Sequence, residues 1–279
     1  MERTPEATPP FRAPIDEVQV NLGLRGKRAV VTGGSKGLGR AIAGELTAEG
    51  ADVAICARNP DELAEAAEEL RANGTTVFAQ VADVTDPDRV KDFVRGSAEA
   101  LGGVDILVNN AGRAHPGDFE TLRDQDWRED LDVKLFSMIR CSREVLPHMR
   151  AAGGGRIINI NAVYGRSPDP AFFATSVNRA ACLSFTKALS IELARDGILV
   201  NSVNIGFVVT PQWKNIHQTR APELSEDEFF RQAAEKEVPL GRFGRPDEVS
   251  GIVAFLAGER ASYITGASID VAGAMGRYL

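Results

Sequence analysis

The stretch Thr32-Gly33-Gly34-Ser35-Lys36-Gly37-Leu38-Gly39 follows a short apolar run and opens a helical pattern. Glycines at this spacing permit a tight turn and let the backbone approach a pyrophosphate. The free N–H groups and positive dipole end of a helix N-terminus would then offset the phosphate charge. The strand–turn–helix context separates this pattern from an ordinary glycine-rich turn. Gly33, Ser35, Lys36, Gly37, Leu38 and Gly39 are therefore candidates for holding a dinucleotide. The second strand ends at Ala57-Arg58, 18 and 19 residues after Gly39. An acid there would take the ribose 2′-hydroxyl of NAD. Ala57 cannot do so, whereas Arg58 can pair with the 2′-phosphate of NADP, and Lys36 offers a second positive charge. NADP(H) is the cofactor these residues favour. Asp83, after the third strand, suits the adenine amine or else caps a turn.

These groups need a frame, and the chain alternates strand and helix patterns. Strand-like runs fall at 28–32, 52–57, 76–81, 105–109, 156–160, 199–204 and 268–271. Helical patterns lie between them near 38–49, 60–73, 87–100, 124–150, 170–195 and 247–257. Asn59-Pro60-Asp61-Glu62 reads as a capping box with proline at the first helical position, and Asp86-Pro87 repeats the cap and proline. Gly74 stops the second helix. The strands are continuous apolar runs, as in a sheet buried on both faces. One doubly wound parallel sheet of seven strands follows, α/β in class and a single domain over 23–279. Residues 1–22, rich in proline and charge, read as a flexible tail. About 40 residues separate strand six from the helix at 247, where an αβ unit needs two to six. This insertion, near 207–240, holds the capping pattern Ser225-Glu226-Asp227-Glu228 followed by Phe229-Phe230. It stands at the carboxyl end of a strand, where a substrate lid would sit.

Composition removes several classes. The 279-residue chain carries a net charge of −7 and a pI of about 5.2, which argues against a nucleic-acid footprint. No apolar run is long enough to cross a bilayer. Three histidines without ligand spacing give no zinc set, and no other metal site is expected. Cys56, Cys141 and Cys182 form no CxxC and suit a reducing compartment, so the cytoplasm is the expected location.

Taken together, the glycine loop, Asn109-Asn110-Ala111-Gly112, Asn204-Ile205-Gly206-Phe207-Val208-Val209-Thr210 and Gly241-Arg242-Phe243-Gly244-Arg245-Pro246 resemble the short-chain dehydrogenase/reductase family over nearly all of 26–279. Ile205 stands where the family usually has proline. The resemblance implies a nicotinamide cofactor lined by Val84, Asn110, Ala111, Gly112 and Val208, with Thr210 on the carboxamide. It also implies a homotetramer or homodimer built on the helices at 124–150 and 170–195, with a small molecule as substrate. The family's chemistry uses an Asn, Ser, Tyr, Lys tetrad: tyrosine as acid or base, serine on the carbonyl oxygen, lysine on the ribose, asparagine on a relay water. Flanking residues align these positions with Lys134, Ala162, Thr175 and Arg179, so all four are changed.

Ala162 cannot hydrogen-bond through its side chain. Thr175 is by itself too weak an acid, and too short, to replace a phenol. Arg179 can hold ribose hydroxyls through its fork but is no equivalent of lysine. Lys134 is expected to project toward the nicotinamide, as ribose ligand or acid, unless it is an ordinary solvated or salt-bridged helix lysine. Tyr164 is the best phenol available, or a packing aromatic. Asn161 either donates to a carbonyl oxygen or ties loops together. His115 either titrates near the cleft or is inert. Trp213, Ile216, Phe229 and Phe230 in the insertion hint at a bulky apolar or aromatic substrate, and His217 and Trp213 either touch it or pack the lid. Three functions stay open: an oxidoreductase with a rebuilt proton-transfer site, a non-redox enzyme on the same scaffold (dehydratase, cyclase or aldol-type lyase), and an inactive cofactor-binding homologue.

Overall fold

The computed structural model of the chain describes residues 21–276; most of the expected tail, 1–20, and residues 277–279 lie outside the described residues. Seven parallel strands form one sheet in the order β3-β2-β1-β4-β5-β6-β7. They are β1 (Arg28–Thr32), β2 (Asp52–Ala57), β3 (Val77–Val81), β4 (Ile106–Asn109), β5 (Gly155–Ala162), β6 (Ile198–Ile205) and β7 (Ser268–Val271). Both faces are covered, which is why the central strands read as unbroken apolar runs. Alternate side chains go to opposite layers. Val31, Ile55, Val108 and Ile158 meet helices α1 (Gly37–Ala48), α2 (Pro60–Arg71) and α9 (Asp247–Ala257). Val30, Ala54, Leu107 and Ile157 meet α3 (Pro87–Leu101), α5 (Ser137–Ala151) and α6 (Phe173–Leu193). The result is a single-domain Rossmann sheet, and the chain reverses direction of growth between β1 and β4, the crevice where ligands bind in such folds.

Local departures have physical causes. The 124–150 pattern is a continuous helical run, but α4 (Asp124–Leu131) passes into α5 through a π-helical turn at Asp132–Phe136. The two expected capping boxes are only half built. Asn59 and Ser225 do cap their helices, accepting from Glu62 N–H and Glu228 N–H. Their glutamates turn elsewhere, Glu62 to Lys36 and Glu228 to Arg231 and Gln232. The insertion holds two helices rather than one, α7 (Pro211–Arg220) and α8 (Glu226–Glu237). Leu22, placed by the sequence in the tail, accepts a hydrogen bond from Glu259 N–H and packs on the core. Among the described residues no helix is long and apolar enough to cross a membrane.

The loop after β1 is bolted to the loop after β4. Asn110 Nδ2 donates to the carbonyls of Thr32 (2.9 Å) and Gly33 (3.2 Å), and Thr32 Oγ1 accepts from the N–H groups of Asn110 and Ala111. Gly39 sits against this joint, and a Cβ there would collide with the Gly33 carbonyl and the Asn110 amide. Gly39→Ala is expected to lower stability by about 1–3 kcal/mol through overpacking. In the same helix, Gly44 has only Leu70 at 3.9 Å. Gly44→Ala should instead stabilise by about 0.5–1 kcal/mol, because alanine has the better helix propensity. Denaturant titration of the two variants checks both signs.

Candidate active site

The carboxyl ends of the strands open on one cleft of about 700 Å³. Every residue assigned above to the cofactor lines it, from Gly33 to Thr210. Gly33 and Gly37 adopt positive φ (68° and 55°), the left-handed turn that glycine permits. Among the described residues no side chain caps the N-terminus of α1, and no acid lies in its first turn. Its N–H groups and dipole are thus left for an anion. Arg58 is exposed at the cleft edge and, among the described residues, makes no hydrogen bond or ion pair. Lys36 is drawn to Glu62 at 2.9 Å, so the two bases are not equivalent. Asp83 does cap a turn, accepting from Thr85 N–H and Oγ1 at 2.9 and 2.8 Å. Burial pushes its carboxyl upward, but the Thr85 bonds and nearby Arg58 and Arg113 outweigh that and hold it below the usual range.

Arg179 emerges from α6 under the loop after β4. Its Nη1 donates to the Ile160 carbonyl at 2.8 Å, and its Nη2 abuts Gly112. Its Nε is buried and has no hydrogen-bond partner among the described residues. Burial lowers the pKa of this guanidinium. A buried donor left unmatched beside a glycine-lined cleft is costly unless a ligand supplies an acceptor. The uncapped helix, the unpaired Arg58 and this orphaned Nε together fit a phosphorylated dinucleotide.

Of the five residues named as catalytic candidates, Tyr164, Thr175 and Arg179 line the cleft, while Lys134 and Asn161 do not. Asn161 is fully buried. Its amide donates to the Arg179 carbonyl at 3.1 Å and its oxygen accepts from Ala162 N–H, so it ties β5 to α6. Tyr164 stacks on Phe172 with ring centroids 5.2 Å apart. Burial, and after it the nearby Asp169 and Glu237 carboxylates, raise its pKa, which makes the phenol a weaker acid. Ala162 presents a methyl group to the cleft. His115 lies outside the lining, 3.8 Å from Asp126. In the insertion Trp213 and Ile216 reach the cleft. Phe230 packs on Phe243, and His217 packs on Phe229 while bonding the Leu224 carbonyl, so these three build the insertion's own core.

Lys134 is neither solvated nor in the cleft: its side chain is 0% exposed. Its ammonium donates to Asp130 Oδ1, one helical turn back, and to Thr175 Oγ1 at 2.9 Å. Asp130, also fully buried, accepts from Asn178 Nδ2 at 2.9 Å. Thr175 therefore stands between Lys134 and the cleft. Asp130 and Asn178 were missed by the sequence reading, although an acid four residues before a lysine is a visible helix pair. Burial, then the Arg179 charge, pull the Lys134 pKa down against the attraction of Asp130, to about 8. Because the folded value lies below the unfolded one near 10.5, folding excludes this proton between the two. The penalty is full below pH 8 and fades as pH rises toward 10.5. Relative to Asp130→Asn/Lys134→Met, which removes both charges, the wild-type protein should gain about 3 kcal/mol across that window. Urea titrations at pH 7, 9 and 10.5 check it; a constant difference would contradict the burial argument.

A family profile described as short chain dehydrogenase matches residues 27–221. The chain is 36% identical over 250 residues to the 3-oxoacyl-acyl-carrier-protein reductase FabG of Staphylococcus aureus, covering 89% of this chain and 98% of the relative. The L-sorbose reductase of Gluconobacter frateurii, solved with NADPH and L-sorbose, superposes with a TM-score of 0.88 at 34% identity, over 93% of this chain and 100% of the other. A short chain oxidoreductase of Pseudomonas aeruginosa PAO1, described as containing an atypical catalytic center, gives a TM-score of 0.87 at 37% identity, over 92% and 100%. That protein has also been solved with NADPH bound. With the same sheet and matches that span most of both chains, this chain belongs to the short-chain dehydrogenase family.

Proposed function

We propose that the protein is an NADP(H)-dependent oxidoreductase that transfers hydride to or from a bulky apolar or aromatic carbonyl, alcohol or enone. All four tetrad positions are replaced in this reading, by Lys134, Ala162, Thr175 and Arg179. One observation carries it. A single cleft runs from the uncapped α1 N-terminus and the unpaired Arg58 to Thr175 and Arg179, so a dinucleotide anchored at one end reaches the altered positions at the other. Arg58 takes the 2′-phosphate and the α1 N-terminus the pyrophosphate. The Arg179 fork holds the nicotinamide ribose, with Asn110, Ala111 and Gly112 as the wall beside it and Thr210 at the carboxamide. When bound, the cofactor supplies or accepts hydride. Phe172, Tyr164, Phe207, Trp213, Ile216 and Met275 line the remaining space and favour an apolar substrate face. Tyr164, with its raised pKa and its ring stacked on Phe172, serves this wall rather than proton transfer. The insertion at 207–240 closes over the substrate. Free, buried Cys56, Cys141 and Cys182 suit a reducing, cytoplasmic setting.

Charge-assisted pairing of Arg58 with the 2′-phosphate should make NADPH bind at least about tenfold tighter than NADH. Arg58→Ala should erase most of that preference while leaving NADH affinity nearly unchanged. Fluorescence titration of both cofactors tests this, and equal affinities in the wild-type protein would refute the assignment. Tight NADPH binding with no hydride transfer across a panel of ketones, alcohols and enones would favour the non-redox alternative.

Assembly as a homodimer or homotetramer is part of the proposal. On α6 the exposed Val177, Ala180, Ser184, Ala188 and Ile191 form one stripe, and Phe136 lies 43% exposed at the π turn. An apolar stripe on the outer face of a helix is suited to a second subunit. Light scattering at micromolar concentration should give a dimer or tetramer, and Ile191→Glu should shift it toward smaller species. A wild-type monomer would refute the claim.

A further inference from the structure

Thr175 Oγ1 has an unusual set of neighbours for a hydroxyl on a cleft wall. On its inner side it accepts from the Lys134 ammonium at 2.9 Å. For its own proton the available protein acceptor is the His115 carbonyl at 3.4 Å, too long for a strong bond. The hydroxyl is thus held in place from behind, with its proton free for an oxygen in the cleft. Behind Lys134 the chain continues to Asp130, whose other oxygen is fixed by Asn178. The π-helical turn belongs to the same arrangement. It closes on Ser137 N–H donating to the Asp132 carbonyl, and Ser137 Oγ takes up the Val133 carbonyl at 2.7 Å. Such turns insert one residue into a helix and recur at functional sites. Here the turn carries Lys134 into the interior against α6.

We infer that Asp130, Lys134 and Thr175 form a buried proton relay, with the Thr175 hydroxyl as the group that exchanges a proton with the substrate oxygen. The inference rests on the oxidoreductase reading and supplies its missing acid. In the reducing direction the carbonyl carbon gains a hydride from the reduced nicotinamide as the C=O π bond breaks. The carbonyl oxygen takes the Thr175 proton, Thr175 Oγ1 takes one from Lys134, and Lys134 is left as a neutral amine beside the Asp130 carboxylate. One C–H and one O–H bond have formed, and after the product leaves, water entering the cleft returns one proton to Lys134 through Thr175. Because threonine gives and receives together, no alkoxide forms, and the weak acidity of an isolated threonine is no obstacle. Thr175 is the catalytic residue. Lys134 acts through it, and Asp130, held by Asn178, is a positioning residue.

The charged and titratable groups facing Lys134 are Asp130 from α4 and Arg179 and Cys182 from α6. Cys182 is kept neutral by burial, which raises its thiol pKa. Carbonyl reduction needs Lys134 protonated, so turnover should fall as pH rises through about 8. Asp130→Asn removes the group that favours the ammonium, so this fall should move to lower pH. A merely structural role for Asp130 would lower turnover without moving the limb.

The deciding experiment uses the full chain without ligand. Thr175→Cys puts a thiol where the hydroxyl stands, and its iodoacetamide reaction at pH 7 reports thiolate content. The native cysteines are buried, with Cys56 and Cys182 pushed up by burial, so they contribute little background. Alkylation should be at least about tenfold faster than in Asp130→Asn/Lys134→Met/Thr175→Cys, where the donor is gone but no unpaired charge is buried. Equal rates overturn the relay, whatever the turnover. In the activity arm, NADPH oxidation is followed with acetophenone and related aryl ketones. Thr175→Val should lose about 10²–10⁴-fold in turnover with NADPH affinity kept, and Thr175→Ser should stay close to wild type. Full turnover in Thr175→Val also overturns the relay. Absence of NADPH oxidation by the wild-type protein on any carbonyl overturns the oxidoreductase reading instead, whatever the thiol does.

Discussion

A lysine ammonium with no water contact is tolerated only where protein groups replace its hydration. Removing a charge from water costs several kcal/mol, and the partners must recover it through short, well-directed bonds. The inner half of the cleft is arranged around that requirement at Lys134. Asp130 supplies the counter-charge from the preceding turn, Asn178 and Thr175 reach in from α6, and the π turn sets the lysine at the depth where these groups meet. Arg179, one turn along α6 from Thr175, adds a second positive charge to the same region and pulls the Lys134 pKa down further. The two cations therefore hold each other in tension. One is committed to the cleft beside Gly112, the other to the interior behind Thr175.

The outer half follows a different constraint, the need to leave backbone donors free. Thr32 and Asn110 satisfy each other's loops, so the α1 N-terminus is not called on to do so. Glycine is required where the two loops touch, because at Gly39 there is no room for a Cβ. The electrostatics at the rim are divided. Glu62 neutralises Lys36 and leaves Arg58 as the base at the end of β2. The cleft thus has an outer end of uncapped helix backbone and one exposed arginine, and an inner end backed by buried, mutually bonded side chains.

The frame was readable because its signals are local. Asn-Pro and Asp-Pro pairs mark helix starts, glycines mark stops, and strands covered on both faces carry unbroken apolar runs. What escaped depends on contacts distant in the chain. Helix α7 has no buried residue and no clear periodicity, so Pro211 alone could have announced it. The π turn is a shift in hydrogen-bond register that its sequence does not mark. Glu62 and Glu228 occupy capping-box positions but find stronger partners in Lys36 and Arg231. At the site, the glycine loop and Arg58, which line the cleft, were legible from type and spacing. The burial of Lys134 was not, because it is imposed by Thr175 and Asn178, 41 and 44 residues later in the sequence. Asn161 had two readings, a donor to a carbonyl oxygen or a tie between loops, and its hydrogen bond to the backbone of α6 is the tie.

The central claim is that the proton reaches the substrate through Thr175 with Lys134 behind it. The most direct measurement is a crystal structure with oxidised cofactor and an unreactive ketone or alcohol in the cleft. In that complex the ligand oxygen should lie within about 3 Å of Thr175 Oγ1, a normal hydrogen-bond distance. Lys134 Nζ should remain on the far side of that hydroxyl, still paired with Asp130. A ligand oxygen bound instead by Tyr164 Oη, with Thr175 making no contact, would contradict it.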